Sequence, residues 1–228
     1  MAEYAIGSDG FSMVKDFLPE QEVDDLVNFV EQNLTTDEHR GGVRNLLHFP
    51  RMRSLAESGA MRDVVRTILG SKAHVVRGIL FDKTEGANWK VPWHQDVTIA
   101  VSQKVEAEGY GPWSIKAGVL HVQPPASVLE LMVSVRLHLD DCPEENGALR
   151  VIPGSQSGGK LEERRIQGLA KKSAVVTCAM QRGGALIMRP LLLHASSASS
   201  VPEHRRVIHF DYAAAELPAG MGWAGAQA

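Results

Sequence analysis

The chain has only two cysteines in 228 residues, Cys142 and Cys178, and they form no Cys-x-x-Cys pair. Two thiols build neither a disulfide framework nor a zinc ribbon, and they fit a reducing compartment, so a cytoplasmic location is expected. Net charge is nearly as scarce. Twenty-four Lys and Arg against 27 Asp and Glu leave a formal charge of -3, which gives no footprint for nucleic acid or an anionic membrane surface. No apolar run approaches the roughly 18 residues of a membrane span. The first residues, MAEYAIGSDGF, have neither a basic start nor a long apolar stretch, so no export signal is expected. Internal repeats, heptads and low-complexity tracts are also missing. What is present is a composition 44% hydrophobic and 22% charged, enough for a sizeable core in one domain spanning 1–228.

Helical patterns lead and strand patterns follow. Residues 19–34 set Val23, Leu26, Val27, Val30 and Leu34 at helical spacing behind Pro19, and a second helix is expected from Ser58 to Leu69, stopping on Gly70. Short β-rich runs then appear at 73–82, 97–101, 131–139, 148–152, 174–178, 185–193 and 205–212. The expected layout is a helical part over about 12–70, a β core over about 73–212 and a loosely ordered tail over 213–228. In LMVSVRLHLDD, Leu131, Val133, Val135, Leu137 and Leu139 share a buried face, while Ser134, Arg136, His138 and Asp140 share a polar one. Asn146-Gly147 reads as the turn of a hairpin joining that strand to ALRVI. Segment 102–130 reads as a lid or specificity loop. Short strands without intervening helices exclude a doubly wound parallel sheet and give a mainly β fold with flanking helices, an α+β sandwich, barrel or jelly roll.

The informative surplus is nine histidines, with three His-x-Asp patterns: His94/Asp96, His138/Asp140 and His209/Asp211. Residues i and i+2 of a strand point to one face and can meet at one ion. Two imidazoles and one carboxylate are the donor set of non-haem iron(II) oxygenases, so a distal histidine is needed. His209/Asp211 lies in the last strand with no later strand to supply it, and reads as a polar strand face. His138/Asp140 ends a strand and reads as a substrate-facing wall. His94/Asp96 follows the loop GANWKVPW and precedes VTIAV, within reach of His194, which ends the apolar run ALIMRPLLLH. Arg205 then opens a strand where its guanidinium could clamp a small dicarboxylate. Arg206 competes with it, because adjacent strand residues face opposite ways.

Three segments in this order, WHQD at 93–96, VRLHLDDCPEENGALRVIPGSQSGGKL at 135–161 and HASS at 194–197 with Arg205 behind it, resemble the phytanoyl-CoA dioxygenase family. These are iron(II)- and 2-oxoglutarate-dependent oxygenases with a double-stranded β-helix, a jelly-roll or cupin-like core. The resemblance implies that His94, Asp96 and His194 bind Fe(II), and that Arg205 holds the distal carboxylate of 2-oxoglutarate. Ser196 matches a position that often helps hold it, though a loop serine also caps its own backbone. The implied reaction uses O2, releases succinate and CO2, and hydroxylates an unactivated carbon; Asp96 favours this over halogenation. The family often has Gly-Ser-His where this chain has Gly154-Ser155-Gln156, so no chemistry falls to that position.

Trp93, Trp113, Arg136 and His138 are candidate substrate-pocket residues, with Lys116, His121 and Gln123 as polar groups of the long segment. Lys83 and Arg77 read equally as anion-binding or surface charges. The expected partner is a small metabolite or natural-product intermediate, since nothing marks a coenzyme A site, and a monomer or homodimer is expected. Two rivals remain: a noncatalytic jelly-roll binding or sensor protein, and a zinc or manganese cupin-like isomerase or hydrolase, against which Arg205 argues.

Overall fold

A computed structural model describes residues 6–34, 42–201 and 204–226. In chain order its elements are β1 (Phe11–Val14), α1 (Glu20–Asn33), β2 (Val43–Arg44), α2 (Pro50–Ala56), α3 (Gly59–Leu69), β3 (His74–Phe81), β4 (Val91–His94), β5 (Ile99–Val101), β6 (Trp113–Lys116), β7 (Val119–Val122), α4 (Ala126–Glu130), β8 (Met132–His138), β9 (Leu149–Val151), α5 (Glu163–Lys172), β10 (Val176–Cys178), β11 (Ala185–Met188), β12 (His194–Ser196) and β13 (Val207–Ala213).

Two antiparallel sheets carry the fold: a major one ordered β1-β11-β8-β13-β3-β2 and a minor one ordered β10-β9-β12-β4. Neither closes on itself, and side chains of both line one cavity between them. This is the expected jelly-roll architecture. The apolar stripes of α1 and α3 (Val23, Leu26 and Val30; Met61, Val64 and Val65) cover the outer face of the major sheet, meeting Val133, Val135, Leu137, Ile187, Ile208 and Phe210. Each such side chain gains about 1.5–3 kcal/mol from leaving water. α3 ends as its sequence demands, on Gly70 at φ 84.

Four expectations need correcting. Leu131, placed on the buried face of the strand LMVSVRLHLDD, is exposed and precedes β8, while all seven residues of β8 are buried on both faces. Residues 131–152 are no hairpin, because β8 pairs with β11 and β13 while β9 pairs with β10 and β12. The link between them crosses sheets through a 3-10 turn at Glu144–Asn146, and Gly147 ends that turn at φ 67. Segment 102–130 is no structureless loop. β6 and β7 form a tight hairpin around Ala117 (φ 48) and Gly118 (φ 77), completing a third sheet ordered β5-β7-β6. Positive φ at both central residues is the hairpin geometry that matches strand twist. Finally, the tail is anchored. Met221 and Trp223 are buried, Trp223 bridges Val101, and Ser102 N–H donates to Gly222 O at 2.8 Å.

Candidate active site

β4 and β12 pair antiparallel so that His94 stands directly opposite His194. Asp96, two residues beyond His94, is brought to the same point by its N–H, which donates to Pro190 O at 2.9 Å. The ring centroids of the two histidines are 4.2 Å apart. His94 Nε2 lies 3.9 Å from Asp96 Oδ1, and His194 Nε2 lies 3.7 Å from Asp96 Oδ2. One ligand atom from each residue falls within 4.8 Å of the others, a spread that could hold a metal ion.

The protons are arranged for the same purpose. His94 Nδ1–H donates to Pro92 O and His194 Nδ1–H to Leu192 O, each at 2.9 Å. Tying Nδ1 to a carbonyl fixes the tautomer and leaves the Nε2 lone pair for a ligand. Burial drives the His194 pKa below its ordinary value, with Asp96 opposing, so the ring is neutral at pH 7. Burial alone would raise the Asp96 carboxyl; His194 and His94 hold it below its ordinary value, so it is ionised. The donor set is two imidazoles and one carboxylate. Between them, Gln95 points away, donating to Leu191 O (2.6 Å) and Gly159 O (2.9 Å) and accepting from Leu161 N–H (2.8 Å). It staples the segment that carries the triad, a part sequence reasoning missed.

The triad opens on a cavity of about 740 Å³, counting its mouth, with Arg136, Ser196, Arg205 and His209 in its lining. Arg205 is buried, and its Nη1 donates to Gly147 O at 2.9 Å. Its Nε has no partner among the described residues. Ser196 Oγ donates to the same carbonyl at 2.9 Å and accepts from Lys83 Nζ at 2.7 Å. Lys83 is fully buried, also donates to Ser197 O, and is pushed down to about 7 by burial and then by Arg205. Arg206 faces the opposite way. It forks onto Asp140 through Nε–Oδ2 (2.9 Å) and Nη2–Oδ1 (2.7 Å) and reaches Glu31 of α1 through Nη1 at 2.7 Å. Asp140, grouped with His138 by spacing, is thus the anchor of Arg206.

His209/Asp211 is an enclosed network and no ordinary polar face. Arg136 Nη1 donates to His209 Nδ1 at 3.0 Å, so His209 Nε2–H donates to Asp211 Oδ1 at 2.8 Å. Asp211 also accepts from Ser134 Oγ at 2.6 Å and Arg77 Nε at 2.5 Å. Burial would raise the Asp211 carboxyl, yet Arg77 and His209 hold it far below its ordinary value. Arg77 and Lys83 are therefore interior groups, which excludes the surface-charge reading.

Of the candidate substrate residues, Arg136 lines the cavity and three do not. His138 is buried with neither ring nitrogen partnered among the described residues, and burial with Arg136 and Arg205 keeps it neutral. Trp93 turns outward to Ile152, Ile166 and Leu193, its ring 5.6 Å from the Arg150 guanidinium. Trp113 packs into the cluster around Val122, with Lys104 5.7 Å from its ring. Strand alternation explains Trp93, since a neighbour of a ligand must face away. Trp89, one of the two tryptophans that the loop GANWKVPW carries toward the site, lines the cavity, as do Arg44, Phe81 and Thr98, which were not singled out; Arg44 sits in a two-residue strand with no period to read.

Residues 6–207 match the family model described as Phytanoyl-CoA dioxygenase (PhyH). L-proline trans-4-hydroxylase of Streptomyces griseoviridis is 29% identical over 154 residues, 56% of this chain and 49% of that protein, so the match spans about half of that relative. Similar solved structures include HygX of Streptomyces hygroscopicus with nickel and 2-oxoglutarate bound (16% identity, TM-score 0.66, covering 91% of this chain and 83% of that one). EctD of S. alaskensis is another (20%, TM-score 0.69, covering 92% and 74%). At these identities the structures establish the shared fold. Among the described residues no helix is long and apolar enough to cross a membrane. The family match over residues 6–207 shows that the chain belongs to the phytanoyl-CoA dioxygenase (PhyH) family.

Proposed function

We propose that this enzyme is an Fe(II)- and 2-oxoglutarate-dependent dioxygenase that hydroxylates an unactivated carbon of a small molecule. The observation that carries this reading is the convergence of His94, Asp96 and His194 in one cavity with a buried, incompletely bonded Arg205. These residues fit the groups they would hold. His94 and His194 offer Nε2 lone pairs already freed by the Nδ1–H bonds. With Asp96 ionised the three donors carry a single negative charge, which leaves a divalent ion able to accept an anionic chelator.

Arg205 would take the distal carboxylate of 2-oxoglutarate, and Ser196 would turn its hydroxyl from the Gly147 carbonyl to the same oxygens. Bound together, iron and 2-oxoglutarate supply oxygen activation coupled to oxidative decarboxylation, with succinate and CO2 released. Arg136, held by His209, and Phe81 wall the cavity and keep bulk water from the reacting carbon. A small-molecule substrate accords with the names of the relatives, among them a proline hydroxylase and HygX with hygromycin B bound.

Anaerobic addition of Fe(II) and 2-oxoglutarate should produce the visible charge-transfer band of bidentate chelation, and aerobic incubation should release succinate. His94→Ala and Asp96→Ala should lose both signals, while Arg205→Ala should raise the half-saturating 2-oxoglutarate concentration by about tenfold or more, as expected for one lost charge-assisted contact. Succinate release unaffected by the two triad substitutions would sink the reading.

A further inference from the structure

The cavity holds more positive charge than its proposed occupants use. Arg44, Arg77, Lys116, Arg136 and Arg205 line it, whereas the described carboxylates that answer them are two, Asp96 in the lining and Asp211 behind Arg77. Five cations against two carboxylates leave three positive charges, and a divalent iron with dianionic 2-oxoglutarate would not change that balance.

The surplus has a location. Arg77 is paired with Asp211, Arg136 donates to His209, and Arg205 is committed to the co-substrate. Arg44 makes no hydrogen bond or ion pair among the described residues. Lys116 Nζ donates only to Thr98 Oγ1, at 3.1 Å. The two cations come from different sheets: Arg44 from β2, opposite Ile79 of β3, and Lys116 from the end of β6, just before the Ala117-Gly118 turn. They nevertheless line one cavity, together with Asp96 and Thr98, and burial, with Arg77 next, lowers the pKa of both. Cations without a carboxylate partner that line one half-buried cavity repel one another, and an anion between them removes the repulsion.

We propose that Arg44 and Lys116 are the substrate's anion clamp, so that the enzyme acts on a small acid whose carboxylate or phosphate binds between them beside the metal triad. This rests on the oxygenase reading. Thr98 steadies the Lys116 ammonium. A neighbouring cavity of about 500 Å³, counting its mouth, shares Arg44, Arg77 and Ile79 and is walled by Leu47, Val76 and Val119. It offers room for an apolar body attached to the acidic group, so the favoured substrate is an amphipathic acid.

The test uses the full chain, Arg44→Gln and Lys116→Gln. Anaerobic titration of each Fe(II)-loaded protein with 2-oxoglutarate should give the same half-saturation in all three. Calorimetric titrations of the Zn(II)- and 2-oxoglutarate-loaded proteins then use hexanoate, hexyl phosphate and neutral hexanamide as probes. At least one acidic probe should bind wild type saturably and more tightly than hexanamide, and each substitution should weaken it about tenfold. The acid that binds better identifies the carboxylate or phosphate source. The clamp is overturned if neither acid binds, if hexanamide binds as well, or if the substitutions leave acid binding unchanged. It is equally overturned if they shift 2-oxoglutarate half-saturation instead, which would make these side chains co-substrate ligands. A wild-type protein with no charge-transfer band would defeat the oxygenase reading alone, and the same probe titrations on the unloaded proteins would still decide the clamp.

Discussion

Lys83 is the side chain whose environment departs furthest from its chemistry: a lysine with no exposure, donating to Ser196 Oγ and Ser197 O, with its ammonium 5.9 Å from the Trp89 ring. Burial, reinforced by Arg205, brings its pKa to about 7, whereas in the unfolded chain it titrates near the ordinary value of about 10.4. Between those values the unfolded state binds a proton that the folded state does not, so this group makes stability rise with pH across that window. In urea unfolding from about pH 7 to about pH 10, the midpoint of wild type should gain on that of Lys83→Met as pH increases. A gap that does not change with pH would contradict this assignment.

Spacing paired His94 with Asp96 and set Arg205 and Arg206 on opposite faces, because i and i+2 partners and opposite-facing neighbours on a strand are matters of period, whereas His194 was nominated from its place at the end of an apolar run. Spacing could not tell that Arg77, Lys83 and the His209–Asp211 pair are interior. Period two says which side of a strand a residue takes; whether that side is wet depends on the sheet packed across it.

At the scale of elements, α1, α3 and the longer strands were legible because each repeats its pattern for at least two turns or several alternations. β1, β2 and α2 are too short for a period to emerge. The β6–β7 hairpin was hidden for a different reason: its turn is Ala117-Gly118, and Ala carries none of the turn signal of Asn or Asp. That choice costs the fold, since an L-residue with a Cβ at φ 48 is strained by about 1 kcal/mol. Ala117→Asn should therefore stabilise the protein by about 0.5–1 kcal/mol in chemical unfolding. Loss of stability instead would show that the turn is held in some other geometry. Lys116 lies at the base of this turn, so the same substitution should leave binding of an acidic probe unchanged.

In the whole molecule a sandwich, barrel or jelly roll was legible from the many short strands, the family resemblance singled out the jelly roll, and the ten-residue α5 between β9 and β10 went unseen; the connectivity was not legible. The β8-to-β9 link changes sheets, and a turn signal such as Asn146-Gly147 looks the same whether the chain doubles back on its partner or crosses to the facing sheet. The tail was misread for a related reason. Its apolar residues are few, and their worth comes from a surface built by segments far back in the chain. Met221 and Trp223 bury themselves in the cluster of Ile99, Val101, Val122 and Leu129, and the backbone at Gly222 accepts from Ser102. The tail thus pins β5, the strand through which the β6–β7 hairpin joins the rest of the fold, and the hairpin in turn carries Lys116 to the cavity. Trp223→Ala should cost about 3–5 kcal/mol, as for a large aromatic removed from a core. Its effect should also be local: by hydrogen exchange, amides of 99–101 and 119–122 should lose protection well before those of 132–138, whose strand is held on both sides by β11 and β13. Uniform loss of protection across both segments would show that the tail supports the whole fold and not this one sheet.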